Sequence, residues 1–264
     1  MSSAPPSPPG SQLSALSSQL PHLPELTVII PFYNEAPNVA PLLAELRAAL
    51  DPLALNVEIL LVNDGSTDAT AAALAAEAAT WPAIRIEHFP RNCGQAAALW
   101  WGFQNARGAW LAMLDGDGQN PPAELARLWP MRATADLLAG ARQGRRDSVL
   151  RLAMSGLANT TRRVLLNDGV NDTGCSLKLF RREVAGSFLP IRTLYSFLPA
   201  FAVAAGWTVR EIPVAHRARA AGVSKYGLRA MAVLPLLDLL ALTWLLRRHL
   251  HRARRQPIVA QSER

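Results

Sequence analysis

Two aspartates one residue apart, Asp115 and Asp117, are the residues of this sequence best suited to chemistry, because they directly follow the apolar run 111–114. In an open α/β sheet, ligands bind outside the carboxyl ends of the strands, so this pair would lie at the rim of a cleft. Carboxylate oxygens suit Mg²⁺ or Mn²⁺, which bridge to substrate phosphates. We expect Gly116 and Gly118 to leave room for a bulky ligand. The alternative for an isolated Asp-x-Asp is an acidic surface turn.

Alternating strand-like and helix-like segments precede the aspartates and predict the sheet that would position them. Short β-branched or apolar runs predict strands at 26–30, 57–62, 84–88 and 109–114, and apolar periodicity predicts helices at 38–50, 69–80 and 95–106. Asp68 is placed to cap the second of these helices. The order β-α-β-α-β-α-β with crossover-length connections predicts an α/β fold with a doubly wound, mostly parallel sheet and flanking helices.

The second half of the chain is less regular and richer in basic residues. We predict helices at 122–133, 149–166, 182–187 and 194–206, strands at 136–140 and 208–213, and a turn followed by a strand within 172–180. One basic segment follows the strand at 136–140 and contains Arg142, Arg145, Arg146 and Arg151. A second basic segment, the loop 216–226, contains Arg217, Arg219 and Lys225.

Both ends of the chain are predicted to lie outside the sheet domain, which we place at 25–227. Residues 1–24 are rich in Ser and Pro and contain no Lys or Arg, so we expect a disordered arm. A signal peptide would need a charged start and a continuous apolar core. Residues 228–264 are predicted to form an apolar helix and a basic tail.

The apolar stretch 230–246 is interrupted by Pro235 and Asp238 and is shorter than the roughly 20 residues that usually span a bilayer. Five arginines follow it, at positions 247, 248, 252, 254 and 255. We therefore expect an amphipathic helix that lies in the membrane interface or is docked on the domain, with its arginines on anionic lipid. The alternative is an ordinary core helix with a solvated basic tail.

The charge balance points to an anionic partner. The 264 residues contain 27 Lys and Arg against 20 Asp and Glu, a net charge of +7, with a pI near 10.4. Nucleotide phosphates, anionic lipid or nucleic acid would fit such an excess. The two cysteines, Cys93 and Cys175, form no CxxC motif, so a disulfide framework or structural zinc site is not expected and a reducing compartment is. We expect both to be small buried core residues.

Several separated blocks together resemble the family 2 glycosyltransferases. They are Val28–Glu35, Val62–Ser66, Arg91–Gln95, Asp115–Gln119 and Gly222–Tyr226, in this order. The last of them, with Asp172–Lys178, is similar to the branch that synthesises polyprenyl-phosphate sugars on dolichol phosphate or undecaprenyl phosphate. The resemblance covers about residues 25–250 and implies a glycosyltransferase A-type fold.

The resemblance also implies roles for individual residues. Residues lining the nucleotide pocket would be Pro31, Tyr33, Glu35 and Asp64, with Asp64 on the base or ribose, and Gly94 and Gln95 would also bind substrate. Asp115, Asp117 and Gln119 would hold Mg²⁺ or Mn²⁺ and the diphosphate. Arg142, Arg151, Arg219 and Lys225 would meet phosphates of donor and acceptor, with Arg142 and Arg151 acting in catalysis beside the two aspartates. Tyr33 could equally be a packing residue, and any single arginine a solvated charge.

The implied reaction transfers a hexose-type sugar, with inversion, from a GDP- or UDP-linked donor to a polyprenyl phosphate at the cytoplasmic face of the plasma membrane. A lipid phosphate is already anionic near neutral pH and needs little help from a general base. Many family 2 enzymes with hydroxyl acceptors carry a late acid, and the segment 194–199 contains none. A soluble or polysaccharide hydroxyl acceptor is the alternative. A basic nucleic-acid-binding module is disfavoured, because Asp115 and Asp117 would repel a phosphate backbone.

Overall fold

Seven strands form one sheet in the part of the chain that the computed structural model describes, which comprises residues 23–143, 168–217 and 237–245 with the single positions 162, 165, 166 and 248. The strands are β1 (Leu26–Phe32), β2 (Val57–Asn63), β3 (Ile84–His88), β4 (Trp110–Met113), β5 (Leu137–Arg142), β6 (Lys178–Arg181) and β7 (Val209–Val214). Their order across the sheet is β3-β2-β1-β4-β6-β5-β7. The four strands predicted before the aspartates are therefore confirmed within a few residues.

Five α-helices lie between strands in this part of the chain: α1 (Ala36–Leu50), α2 (Thr70–Thr80), α3 (Gln95–Asn105), α4 (Pro122–Leu128) and α5 (Leu194–Ala204). The predicted helix 122–133 is wrong beyond Leu128, where a 3₁₀ segment, Trp129–Thr134, takes over. Pro130 explains the change, because it has no N–H for the α-helical ladder. The predicted helix 182–187 is likewise a 3₁₀ segment. Most of the predicted helix 149–166 lies outside the described residues, although positions 162, 165 and 166 are helical.

The sheet is mixed, and β6 is the strand that reverses. β1, β2, β3 and β4 pair in parallel, as do β5 and β7. β6 pairs antiparallel with both β4 and β5. The prediction of a mostly parallel sheet thus holds for four of the six strand pairs.

Both faces of the sheet are buried, which is what a doubly wound fold requires. Successive side chains of a strand point to opposite faces. Val28 and Ile30 accordingly pack in a core with residues of α1 and α4, whereas Ile29 packs in a second core with residues of α3 and α5. Cys175 is buried in the first core, but Cys93 is exposed, so the expectation of two buried cysteines is wrong for Cys93.

Asp68 joins the starts of two helices on the same side of the site. Its carboxylate accepts hydrogen bonds from the N–H of Thr70 (3.0 Å), the first residue of α2, and from the N–H of Ala36 (3.3 Å), the first residue of α1. The predicted cap therefore contacts α2, although Ala69 occupies the N-cap position. N–H groups at a helix start have no partner within the helix, so one carboxylate stabilises both ends.

Residues 237–245 are helical and have two different faces. Leu239 and Leu242 are buried in the core that contains α5, while Leu237, Leu240 and Trp244 are exposed. Asp238 accepts hydrogen bonds from the N–H (3.2 Å) and the hydroxyl (2.6 Å) of Thr193, just before α5. This segment is therefore docked on the domain. None of the helices in the described ranges is long and apolar enough to cross a bilayer.

Candidate active site

The two aspartates of the Asp-x-Asp motif lie just beyond the carboxyl end of β4, which is the middle strand of the sheet and pairs with β1. Asp115 is half-buried and accepts a hydrogen bond of 2.6 Å from the side-chain amide of Gln95, the first residue of α3. Asp117 is buried, and its Oδ1 accepts a hydrogen bond of 3.1 Å from the N–H of Gln119. The structure thus brings together four of the predicted site residues.

The two glycines of the motif are required for different structural reasons. A Cβ on Gly116 would lie 2.7 Å from the Phe32 ring and 2.8 Å from the carbonyl oxygen of Pro31. Gly116 therefore permits close packing on β1, and the expectation that it leaves room for a ligand is wrong. Gly118 has a φ of +71° and open space around its Cβ position, which agrees with that expectation.

Lys178 places a positive charge under the aspartates, because the antiparallel register of β4 and β6 pairs it with Met113. The side chain is almost completely buried, and its ammonium donates a hydrogen bond of 2.5 Å to the carbonyl oxygen of Cys175. Burial lowers the pKa of Lys178 to about 8, since a buried charge loses its hydration. Lys178 is therefore a buried cation beside a carboxylate pair.

Asp115 shows the opposite electrostatic response. Burial raises the pKa of its carboxyl to about 6, and the negative charge of Asp117 adds to the rise. A hydrogen bond with the Ser176 hydroxyl and the charges of Lys178 and Arg142 oppose that rise in pKa. The Ser176 hydroxyl also accepts a hydrogen bond of 2.5 Å from the side-chain amide of Asn120. The carboxylate pair therefore lies where added positive charge would be strongly stabilising.

Arg142, the last residue of β5, is fixed by Asp172. Its Nε and Nη2 each donate to the Asp172 carboxylate at 2.8 Å, and its backbone N–H donates to the same carboxylate at 3.0 Å. A Cβ on Gly174 would lie 2.6 Å from Nη2, so the turn passes close beneath the guanidinium. A bidentate pair of this kind fixes the plane of the guanidinium. Arg142 therefore enters the site in a defined orientation.

The Asp64 carboxylate, at the carboxyl end of β2, binds the loop that leads into α3. It accepts hydrogen bonds from the N–H groups of Cys93 (2.7 Å) and Gly94 (2.9 Å) and from the side-chain amide of Asn92 (2.9 Å). Burial raises the pKa of Asp64, while the two N–H bonds act in the opposite direction. Asp64 thus holds the loop 92–94, and its contact with a base or ribose stays a prediction.

Three residues predicted to line the nucleotide pocket, Pro31, Tyr33 and Glu35, lie at or just beyond the carboxyl end of β1. Pro31 is the second-last residue of β1 and pairs with Val62 of β2, and Tyr33 is half-buried in the loop that follows. Glu35 is buried, with its N–H donating to the Thr70 hydroxyl (2.9 Å) and its carboxylate accepting from the Asn38 amide (2.6 Å). These contacts hold the loop against the start of α2, and their role in nucleotide binding stays a prediction.

Three predicted phosphate contacts, Arg151, Arg219 and Lys225, lie outside the described residues. The sequence reasoning did not assign Ser176, Lys178 or Asp172 to the site. The sequence links the block Asp172–Lys178 only to a branch of the family, whereas strand pairing and hydrogen bonds show that its two ends meet Arg142 and the end of β4. Tyr195, at the start of α5, was also missed, and burial raises the pKa of its hydroxyl, with the charge of Asp115 adding to the rise.

A divalent cation fits the donor set at the motif. Within the described ranges there is no cluster of three or more His, Cys, Asp or Glu side chains that could hold a metal ion. Two carboxylates with a neighbouring amide suit instead a cation such as Mg²⁺, which takes one or two carboxylates and completes its shell with waters and substrate phosphates. Asp115, Asp117 and Gln119 provide that set.

The fold is shared with solved nucleotide-sugar enzymes. Glucosyl-3-phosphoglycerate synthase from Mycobacterium tuberculosis, in complex with Mn²⁺, UDP and glucosyl-3-phosphoglycerate, matches 92% of this chain and 86% of its own at a TM-score of 0.61 and 16% identity. A mannosyltransferase from Pyrobaculum calidifontis, in complex with GDP-Man and Mn²⁺, matches 91% of this chain and 76% of its own at a TM-score of 0.60 and 20% identity. These likenesses establish a glycosyltransferase A-like fold.

Two relatives found by sequence share more sequence identity with this chain than the two solved structures do. Dodecaprenyl-phosphate galacturonate synthase from Rhizobium johnstonii is 36% identical over 230 residues, which are 84% of this chain and 68% of the relative. Undecaprenyl-phosphate 4-deoxy-4-formamido-L-arabinose transferase from Pseudomonas paraeruginosa is 38% identical over 214 residues, 80% of this chain and 62% of the relative. The match thus covers slightly more than two thirds of the first relative and slightly less than two thirds of the second.

The model of the family described as Glycosyl transferase family 2 matches residues 27–188, a range that runs from β1 through the Asp-x-Asp motif to the end of the 3₁₀ segment after β6. The Asp-x-Asp motif at the end of β4, the fold and the sequence relatives agree with that match. The chain therefore belongs to glycosyl transferase family 2.

Proposed function

We propose that this glycosyltransferase moves a sugar, with inversion, from a nucleotide-diphosphate sugar to a polyprenyl phosphate. The observation that carries the proposal is the carboxylate pair at the end of β4, which lies beside the buried Lys178 and the oriented Arg142. A nucleotide diphosphate is a strongly anionic leaving group, and such a site can hold it through a cation and an arginine. The two sequence relatives are named for transfer to dodecaprenyl and undecaprenyl phosphate.

The proposed cofactor is Mg²⁺ or Mn²⁺, held by Asp115, Asp117 and Gln119. When bound, the ion stabilises the negative charge that develops on the departing diphosphate. Gln95 orients Asp115 through its amide, and the N–H of Gln119 orients Asp117. Arg142 presents its planar fork to the phosphate oxygens and stabilises the same charge. Both structural neighbours were solved with Mn²⁺ and a nucleotide, which supports this assignment.

A phosphate acceptor agrees with the side chains at the start of α5. The described residues Leu194–Ala204 contain no carboxylate. Asp238 does approach this end of the helix, but its carboxylate accepts two hydrogen bonds from Thr193. A lipid phosphate oxygen is anionic near neutral pH and attacks the anomeric carbon without a general base, displacing the diphosphate with inversion. A hydroxyl acceptor would need a proton acceptor at this position.

The lipid acceptor would be reached from a membrane surface. The exposed residues Leu237, Leu240 and Trp244 recur at helical spacing on the side of residues 237–245 that faces away from the domain. We propose that this face lies in the headgroup region at the cytoplasmic side of the plasma membrane, with the following arginines on anionic lipid. The protein would then be peripheral and would meet its acceptor at the headgroup level.

The experiment that tests the proposed function has two steps. GDP- and UDP-linked sugars are first screened for protection against thermal unfolding, with and without Mn²⁺, because a ligand that binds the native state raises Tm. The protective donor is then incubated with undecaprenyl phosphate in vesicles or with soluble sugar hydroxyls. Transfer to the lipid phosphate supports the proposal. Transfer only to hydroxyl acceptors would identify the alternative, and protection that does not depend on Mn²⁺ would contradict the metal assignment.

A further inference from the structure

Glu211 is a carboxylate of β7 that lies outside the predicted site yet contacts the turn that holds Arg142. Its Oε1 accepts hydrogen bonds from the backbone N–H groups of Asn171 (2.8 Å) and Asp172 (2.7 Å), and its Oε2 accepts one from the Asn171 side-chain amide (2.7 Å). Three hydrogen bonds to one carboxylate, two of them from consecutive N–H groups, fix the backbone of the turn rather than a single side chain.

The turn passes this constraint to the site. Asp172 accepts three hydrogen bonds from Arg142, two of them from the guanidinium. An arginine carries its five N–H donors in one rigid plane, so a partner that fixes two of them fixes the direction of all five. β6 pairs antiparallel with both β4 and β5, so these two strands end at the same edge of the sheet. Arg142 is the last residue of β5, and the Asp-x-Asp motif follows β4 at that edge.

We propose that Glu211 is a positioning residue for the proposed transfer reaction: it holds the turn 171–172, and through Asp172 it sets the orientation in which Arg142 meets a substrate phosphate. The inference rests on the proposed function for the identity of that phosphate, but the hydrogen-bond relay itself does not. A misplaced charge-assisted contact weakens phosphate binding in the ground state and charge stabilisation in the transition state.

The variants separate hydrogen bonding from charge. Glu211→Ala removes both acceptor oxygens and all three hydrogen bonds, whereas Glu211→Gln keeps Oε1 for the two backbone N–H groups, and the Asn171 amide can rotate to meet the new amide. Asp136→Ala is a matched control, because Asp136 also bridges β5 and β7, accepting from the N–H (3.0 Å) and hydroxyl (2.6 Å) of Thr208 at the opposite end of these strands. Tm is measured for every variant.

We expect Glu211→Ala to lower kcat/KM by about tenfold and to weaken binding of UDP or GDP with Mn²⁺, while Glu211→Gln stays within about threefold of the wild type. Asp136→Ala should lower Tm without changing kcat/KM. If Asp136→Ala lowers kcat/KM as much as Glu211→Ala does, general destabilisation explains the effect and the proposal is overturned. Equal losses for the Gln and Ala variants would also overturn it, since the charge and not the hydrogen bonds would then matter.

A double-mutant cycle with Arg142→Ala supplies the second readout. If Glu211 acts through Arg142, its removal should have little further effect in the Arg142→Ala background, so the two losses will not add. Additive losses would overturn the relay. Because the cycle can be measured on the affinity for UDP or GDP with Mn²⁺ alone, it does not need a lipid acceptor. A wild type that transfers no sugar to undecaprenyl phosphate would contradict the proposed function and leave the cycle readable.

Discussion

Charges of both signs are concentrated in a small buried volume beyond β4. Lys178 is almost completely buried and Asp117 nearly so, and burial moves the pKa of Asp115 up and that of Lys178 down. Desolvation disfavours the charged form of each group taken alone, but the attraction between unlike charges is stronger in the same environment. The site is thus arranged to respond strongly to a further ion, which is the property that transfer from a diphosphate needs.

Asp117→Asn should lower the rate of sugar transfer by at least about a hundredfold, because one metal ligand loses its charge and the departing diphosphate loses stabilisation. The amide keeps the size of the side chain and an oxygen for the N–H of Gln119. Tm should therefore stay close to that of the wild type. Turnover within a few-fold of the wild type in a variant of normal Tm would rule out Asp117 as a metal ligand.

Short motifs in the sequence predicted four residues that the structure brings together, Asp115, Asp117, Gln119 and Gln95, and their roles in binding stay predictions. Sequence reasoning did not find Lys178, because a lysine in an apolar strand carries no local signal for burial. The position of Lys178 depends on the antiparallel pairing of β6 with β4, which joins segments far apart in the chain. Sequence reasoning also did not predict that the Asp64 carboxylate binds the loop 92–94, and the contact of Asp64 with a base or ribose stays a prediction.

At the scale of the elements, the parallel half of the sheet was predictable and the mixed half was not. β1 to β4 alternate with helices at spacings typical of crossovers between parallel strands, and they do form the parallel part of the sheet around β1 and β2. The order of β6 and β5 in the sheet depends on the reversed direction of β6, which periodicity does not encode. The helix at 122–133 was predicted too long because a single proline outweighed an otherwise helical pattern.

Asp136 ties the start of β5 to the start of β7, and this contact should depend on pH. Hydrogen bonds from Thr208 hold the pKa of the Asp136 carboxyl below its ordinary value of 3.8. Its contribution to stability is therefore complete above that value and is lost as the pH falls through the lowered folded-state pKa. Asp136→Asn should cost about 1 kcal/mol of unfolding free energy near neutral pH.

Denaturant unfolding of Asp136→Asn and of the wild type, measured from about pH 7 to about pH 3, checks this expectation. The difference in unfolding free energy should shrink towards acid pH, because the wild-type carboxyl then becomes as neutral as the amide. A difference in unfolding free energy that stays constant over this range would show that the charge of Asp136 contributes nothing to the stability of its contact with Thr208.

The helix at 237–245 leads to a prediction about its exposed face. Replacing both Leu240 and Trp244 by serine should reduce binding to anionic vesicles by about tenfold or more, since each apolar side chain buried in lipid contributes on the order of 1 kcal/mol or more. Leu23→Ser is the matched control, because Leu23 is also highly exposed and lies at the other end of the described chain. Vesicle co-sedimentation over a salt series gives the measurement.

In that series, binding of the full chain should weaken as salt screens the arginines but should not vanish while the apolar face stays inserted. Tm of the double variant should be unchanged, because Leu239 and Leu242 keep their contacts with the domain. If the double variant sediments as well as the control, this face does not bind lipid.

For the molecule as a whole, the excess of 7 positive charges is expected to serve two anions, the donor diphosphate and the acceptor phosphate. Arg151→Ala and Lys225→Ala, in basic segments outside the nucleotide-binding half, should weaken use of the lipid phosphate by about ten- to a hundredfold. Binding of the nucleotide sugar should change much less. KM values for donor and acceptor, measured separately, decide the point, and equal losses for both substrates would contradict the assignment to the acceptor.

The reversal of β6 has a consequence for how the enzyme is made. Asn120 and Ser176 meet in the site although they are 56 positions apart, and Lys178 arrives with the same late segment. Protein synthesis delivers the aspartates first, together with the local β-α units that can fold around them, and the counter-charges only later. During translation the nascent chain therefore passes through a stage in which it already carries its acidic motif but lacks the buried ammonium and the oriented guanidinium. The cluster of charges beyond β4 is therefore completed only when the second half of the sheet has folded.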